Sequence, residues 1–295
     1  MTPEELNSRL VAEVLLLDGA MGTMLMTSGL ESGRAPEWWT LEHPQAVEAV
    51  HRSYLEAGSD VILTNTFGAS APKLEAAGLS GRCREVNRRA AEAARRAAGD
   101  GALVAGDIGP CGLLLPPVGQ ATEAQIREAF SEQASTLAEA GVDLLLVETM
   151  YDLREALAAV QAALRTGLAV VASMTFVARP RGAFTIMGNP LAECLRALAG
   201  AGAGVVGCNC SVTSTEMLPM IRAARAALDA PLVAQPNAGQ PRMTAEGPSY
   251  GASREAFATD LIAMCELGAR LVGGCCGTTP VFIRDARTAL DARAP

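Results

Sequence analysis

The stretch Leu271-Val272-Gly273-Gly274-Cys275-Cys276-Gly277-Thr278-Thr279-Pro280 passes from a short apolar run, through two glycines and two adjacent cysteines, to a proline. Proline is favoured at the first position of a helix. The stretch therefore reads as a strand, a turn that carries reactive side chains, and a helix start. The same three-part unit recurs along the chain. Strands are expected at 14–18, 61–66, 103–107, 144–148, 169–175, 204–207, 232–235 and 271–273. Helices are expected at 44–57, 85–98, 123–140, 153–166, 190–201, 216–228 and 255–267, with a last one after Pro280. Apolar strands that alternate with amphipathic helices call for a parallel sheet covered on both faces. About eight such units in roughly 250 residues predict an α/β fold of the (β/α)8 TIM barrel type. The rival, a doubly wound open sheet, lacks its glycine fingerprint, because Asp18-Gly19-Ala20-Met21-Gly22 has different spacing.

Each expected strand ends in polar or special residues: Asp18-Gly19-Ala20, Asn65-Thr66-Phe67, Asp107-Ile108-Gly109-Pro110, Glu148-Thr149, Thr175-Phe176, Asn209-Cys210, Pro236-Asn237-Ala238-Gly239 and Gly274-Cys275-Cys276. A barrel gathers these ends around one mouth, where such folds carry their chemistry. The sixth and eighth strands lie two apart in the ring, so Cys210 can meet Cys275 and Cys276. Three thiolates with one open position match a catalytic rather than a structural zinc. Soft sulfur ligands also select zinc over magnesium or calcium. Such an anionic site is a poor source of hydroxide. It deprotonates a thiol placed in the fourth position and leaves that sulfur nucleophilic. The competing readings of the three cysteines are chance packing and a redox pair. Cys83, Cys111, Cys194 and Cys265 read as small buried hydrophobes. Cys208 would share a face with Cys210 on a regular strand. It is expected to pack in the barrel, with a spare-ligand role as the alternative.

The 295 residues are expected to form a single domain, 1–295, with 49% hydrophobic residues to build its core. The net charge of −8, with no basic block, argues against nucleic acid or an anionic membrane as partner. No apolar run approaches the ~20 residues of a membrane span. Val14-Leu15-Leu16-Leu17 is flanked by Glu13 and Asp18 and is not a signal-peptide core. The eight cysteines do not resemble a small secreted disulfide framework, which points to a reducing cytoplasm. Lys73 is the only lysine, and His43 and His51 are the only histidines. A Schiff-base lysine or a histidine base would have to be one of these, and Lys73 lies outside the expected strand ends. Residues 26–40, with Trp38 and Trp39, and residues 235–251 are expected as two loops over the mouth.

The chain resembles the homocysteine-binding zinc methyltransferases. The resemblance rests on Asp18-Gly19-Ala20-Met21-Gly22-Thr23, Thr64-Asn65-Thr66-Phe67, Asp107-Ile108-Gly109-Pro110, Glu148-Thr149, Gly207 to Cys210, and Gly273 to Pro280. It covers nearly the whole chain, and the pair G-x-N-C and G-G-C-C-G is highly specific. Pro236-Asn237-Ala238-Gly239 and the run from Glu148 to Ala156 fit the homocysteine module of cobalamin-dependent methionine synthase best. The resemblance implies zinc on Cys210, Cys275 and Cys276 at the ends of strands six and eight. Homocysteine sulfur would be the fourth ligand, with Asn237 in that position when substrate is absent. It implies the backbone of Gly19 and Ala20, beside Asp18, for the substrate carboxylate and Glu148 for the ammonium. Asn65 and Phe67 are expected at the mouth, and Asp107 to order the loop before Pro110. No catalytic side chain separate from the zinc site is expected.

Two positions depart from the family pattern. Cys208 replaces an apolar residue, and Ser211 follows where that branch tends to have a glycine. The implied activity is zinc-dependent methylation of homocysteine to methionine. The methyl group would come from methylcobalamin carried on a corrinoid-binding domain or protein, since the chain stops just after the expected final helix. The alternatives are an enzyme that uses S-methylmethionine or a similar small donor, and a non-catalytic zinc- or thiol-binding module that docks on a corrinoid protein.

Overall fold

The computed structural model describes residues 1–240, 242–244 and 247–293. Eight strands form one sheet: β1 (Leu15–Leu16), β2 (Val61–Leu63), β3 (Leu103–Ile108), β4 (Leu144–Met150), β5 (Ala169–Met174), β6 (Val205–Thr213), β7 (Leu232–Asn237) and β8 (Ala269–Val272). Their order is β1-β8-β7-β6-β5-β4-β3-β2, and every pairing is parallel. A bridge between Leu17 and Val61 closes the ring, with the Asp18 N–H donating to the Val61 carbonyl at 3.0 Å. The expected (β/α)8 barrel is the observed fold.

The helices are α1 (Pro3–Ala12), α2 (Met21–Thr27), α3 (Glu37–Glu42), α4 (Pro44–Glu56), α5 (Ala71–Ala76), α6 (Cys83–Ala98), α7 (Glu123–Glu139), α8 (Leu153–Leu164), α9 (Leu191–Gly200), α10 (Ser214–Ala227), α11 (Arg254–Glu266) and α12 (Pro280–Asp291). Side chains alternate sides along a strand, so each strand feeds two apolar layers. Leu17, Val61, Leu144, Leu146, Val171 and Val233 meet inside the barrel. Ile62, Val104, Leu145, Val170, Val206 and Val272 face outward into the helix layer. Leu6 and Leu10 of α1 join the inner cluster and plug the end opposite the mouth. The sequence reading did not anticipate α1. Its signal was present in Thr2-Pro3-Glu4-Glu5, which forms a capping box with proline in the first turn.

Two expected loops are corrected. Segment 26–40 overlaps the end of α2 and the start of α3; Trp39 belongs to the core, and the Trp38 indole N–H donates to the Ala77 carbonyl at 2.9 Å. In segment 235–251, β7 runs on to Asn237, and Arg242–Thr244 pairs antiparallel with Gly247–Ser249. Pro241, Ala245 and Glu246 of that segment lie outside the described residues. A second hairpin, Val177–Arg179 with Gly182–Phe184, follows β5 and was not foreseen. Among the described residues no helix is long and apolar enough to cross a membrane.

Candidate active site

The inward-facing column of five strands changes character toward the mouth. Two residues beyond Ala105, Leu146, Val171, Gly207 and Val233 stand Asp107, Glu148, Ser173, Asn209 and Gln235, all buried. A cavity of about 860 Å³ opens above this polar layer. Asp18, Gly19, Ala20, Asn65, Phe67, Asp107, Glu148, Cys210, Cys275 and Cys276 line it.

Cys210 reaches the cavity because the backbone breaks its alternation. Cys210 and Ser211 have φ of +60° and +61°, and the β6–β7 register shifts between Asn209 and Thr213. A bulge of this kind re-aims a side chain. The left-handed region is one that glycine enters freely, which accounts physically for the glycine expected where Ser211 stands. The same bend corrects the expectation that Cys208 shares a face with Cys210. Cys208 packs into the outer helix layer, and burial pushes its thiol up to about 12.

Cys275 and Cys276 follow β8 in a tight turn. The Cys275 N–H donates to the Pro236 carbonyl at 2.9 Å, and its carbonyl accepts from the Thr278 hydroxyl at 2.6 Å. Gly277, at φ +79°, has no room for a side chain against the Tyr250 ring. The three sulfurs lie within 4.8 Å of one another, with Cys210 and Cys276 3.8 Å apart. A tetrahedral zinc with bonds of about 2.3 Å holds its sulfurs about 3.8 Å apart. A disulfide needs about 2.05 Å. The donor set and its spacing therefore fit a soft divalent metal. Without a cation, S–H bonds from Cys275 and Cys276 favour the thiolate of Cys210, and those same contacts keep the Cys275 thiol protonated.

Three buried carboxyls share the cavity with the sulfurs. Burial, and next the Cys210 thiolate, raise Glu148 to about 8. Burial also lifts Asp107 and Asp18 well above the carboxylate range, and Glu148 repels both. One oxygen of Asp18 accepts from the Leu63 N–H at 2.9 Å; its other oxygen and Asp107 Oδ1 have no partner. Among the described residues none of the three pairs with a lysine or arginine. Such a cluster suits a cation brought by a ligand. Asp107 was expected to order the loop before Pro110; its carboxyl lines the cavity beside Glu148 instead.

The remaining expected residues have distinct places. Asn65 donates to the Pro36 carbonyl at 2.9 Å and to the Thr40 hydroxyl at 3.0 Å, so it fixes the wall made by α3. Phe67 lies at the rim, 37% exposed. The Ala20 N–H already donates to the Thr278 carbonyl at 3.0 Å. Asn237 is buried beside the Cys210 sulfur, with its amide oxygen unpartnered. Lys73 lines the cavity from α5 and not from a strand, whereas His51 is buried in α4 and the His43 ring meets Trp39 at a tilt, with centroids 4.8 Å apart. Sequence reasoning placed Asn209 and Thr149 at strand ends without giving them a role, and it missed Tyr250. Alternation counted from Gly207 would have placed Asn209 inward.

A family model described as homocysteine S-methyltransferase matches residues 15–290. The chain is 33% identical over 296 residues to the methionine synthase of Mycobacterium tuberculosis, an alignment that covers 94% of this chain and 24% of that protein. The chain thus spans about a quarter of the length of the methionine synthases it matches. It is 32% identical over 314 residues to betaine–homocysteine S-methyltransferase 1 of Mus musculus, covering 95% of this chain and 72% of that one. Its fold superposes on the metallated homocysteine methyltransferase MmuM of Escherichia coli with a TM-score of 0.78, at 27% identity and 96% coverage of each chain.

Proposed function

Because the chain belongs to the homocysteine S-methyltransferase family, we propose that it is a zinc-dependent enzyme that methylates homocysteine to methionine. The observation that carries this reading is the trio Cys210, Cys275 and Cys276, gathered within 4.8 Å on the wall of the cavity. These cysteines would hold the zinc, and Asn237 would complete its shell when substrate is absent. When bound, the metal supplies deprotonation of the substrate thiol and an electron-rich sulfur at neutral pH. Glu148, with Asp18 and Asp107 beside it, receives the substrate ammonium. The carboxylate lies against Gly19 and the turn around it, since the Ala20 N–H is engaged by Thr278. Asn65 and Phe67 shape the entrance. No other side chain is needed as a base, in keeping with a cavity wall that neither histidine joins.

The methyl donor in this reading is methylcobalamin on a corrinoid-binding domain or protein, as the likeness to methionine synthase suggests. A small donor such as S-methylmethionine is the second reading. It is favoured by a cavity of about 860 Å³, far larger than homocysteine alone requires. All eight cysteines are free, which supports a reducing cytoplasm, and residues 1–295 are taken as one homocysteine-binding domain. The test is Cys210→Ser. Zinc per chain is expected to fall from one to below about a tenth, and homocysteine methylation by at least about a thousandfold, because one of three ligands is lost. A zinc-free wild type that methylates at full rate sinks the proposal. Parallel assays with methylcobalamin and with S-methylmethionine decide the donor.

A further inference from the structure

Asn209 touches both halves of the mouth. It is fully buried. Its amide nitrogen donates to Glu148 Oε2 and to Thr149 Oγ1, both at 2.6 Å, and lies 3.9 Å from Cys275 Sγ. Its oxygen accepts from the Thr149 N–H at 2.8 Å and from the Ser173 hydroxyl at 2.7 Å. These partners satisfy the donors and the acceptor of a primary amide together. They also fix its orientation. A flipped amide would set its oxygen against the Glu148 carboxyl and its N–H₂ against the Thr149 N–H.

The backbone on either side is held in left-handed conformations, at φ +55° for Thr149 and at +60° and +61° for Cys210 and Ser211. Both bends coincide with register shifts, between Val147 and Met150 on β4 and between Asn209 and Thr213 on β6. Non-glycine residues stay in this region only where their surroundings over-determine them. Asn209 supplies that constraint at Thr149, across the intervening strand β5 through Ser173, whereas the bend at Ser211 is held by the Thr175 hydroxyl and by Gln240. One bend sets Thr149, next to Glu148, and the other aims Cys210.

We infer that Asn209 is a positioning residue, whose amide sets the distance and aim of Glu148 relative to the three cysteines. It thereby fits the mouth to a ligand with a thiol at one end and an ammonium at the other. The inference rests on the homocysteine reading above. It differs from a general structural role in one respect: it predicts a loss confined to ligands that carry the amine.

The experiment compares homocysteine with 4-mercaptobutanoate, which keeps the thiol and the carboxylate but has no amine. Wild type, Asn209→Ala and Ser173→Ala are loaded with zinc, their zinc content is counted, and both dissociation constants are measured by calorimetry. Wild type is expected to bind homocysteine at least about tenfold more tightly than the amine-free thiol. Asn209→Ala keeps one zinc per chain and its affinity for 4-mercaptobutanoate within about twofold, while homocysteine binding weakens about tenfold. Ser173→Ala removes one of the two hydrogen bonds to the amide oxygen, so the amide is held less tightly and the same selective loss follows at about two- to fivefold; it carries the test should Asn209→Ala not fold. Equal weakening for both thiols, a fall in zinc content, or unchanged homocysteine binding in Ser173→Ala overturns the positioning role and leaves the homocysteine reading standing. A wild type that does not distinguish the two thiols overturns the homocysteine reading first, and the positioning role with it.

Discussion

Leu146 and Glu148 stand two residues apart on β4, on the same side of the strand, and both are buried. Leu146 belongs to the apolar filling of the barrel, where removing a leucine from water contributes about 1.5–3 kcal/mol. Glu148 belongs to the layer above, where burial raises a carboxyl to about 8. A carboxyl raised in the fold disfavours folding once it ionises elsewhere, from its ordinary 4.5 upward. One strand thus carries a residue that stabilises the fold and, a single repeat later, one that burdens it. The difference teaches where the molecule's stability resides and where its reactivity does.

The comparison breaks most visibly if the two layers cannot be separated. Leu146→Ala is expected to lower unfolding free energy in urea by about 2–5 kcal/mol. Homocysteine affinity of the folded variant should hold; a large loss would mean that the mouth is not independent of its floor. Glu148→Gln should behave in the opposite way. Homocysteine binding weakens by about 10- to 100-fold, or about 1.5–3 kcal/mol, for the lost contact with a charged group. The thermal midpoint at neutral pH stays level or rises, because folding no longer has to keep a raised carboxyl from ionising between 4.5 and about 8. A fall in the midpoint would refute this account of the upper layer.

The outer wall offers a third kind of buried polar group. His51 is wholly buried in α4, neither ring nitrogen has a partner, and burial lowers its pKa from 6.5 to about 4 against the opposing pull of Glu48. The folded state therefore prefers the neutral ring. Stability from this residue is complete above 6.5 and is lost as pH falls toward 4, by about 2 kcal/mol between pH 7 and pH 5. The difference between wild type and His51→Leu in unfolding measurements across that window isolates it. Equal acid sensitivity in the two proteins would show that the ring is already partnered, for instance through water.

Much of the barrel was legible because its strands follow simple rules. Leu144–Met150 and Ala169–Met174 are near-continuous apolar runs, as strands covered on both faces must be. The sulfur site was legible because cysteine pairs cradled by glycine are chemically specific. Alternation failed at Cys208 and Cys210, because Cys210 and Ser211 are themselves left-handed and no spacing rule anticipates that. Asp107 was misassigned for a similar reason. Its neighbours Gly109 and Pro110 suggested a loop, whereas its place in the inward column of β3 is settled by register with β4. Asn209 was quoted in its motif without a role, because an uncharged amide between cysteines shows its importance only through its partners, and those come from two other strands.

The first strand pairs with the last: Leu15 with Leu271, and Leu16 with Val272. The Gly274 N–H then donates to the Asp18 carbonyl at 3.0 Å, and the Tyr54 hydroxyl to the Thr278 carbonyl at 2.8 Å. For a chain emerging from the ribosome, these contacts join the first strand of the ring to be made with the last. They have the greatest sequence separation in the ring, and such contacts are the slowest to form. Until they do, β1 keeps an open edge and Cys210 waits as a solitary thiol. Closure of the ring and delivery of Cys275 and Cys276 are one event, so capture of a metal by this chain would serve as a clock for the last step of its own folding.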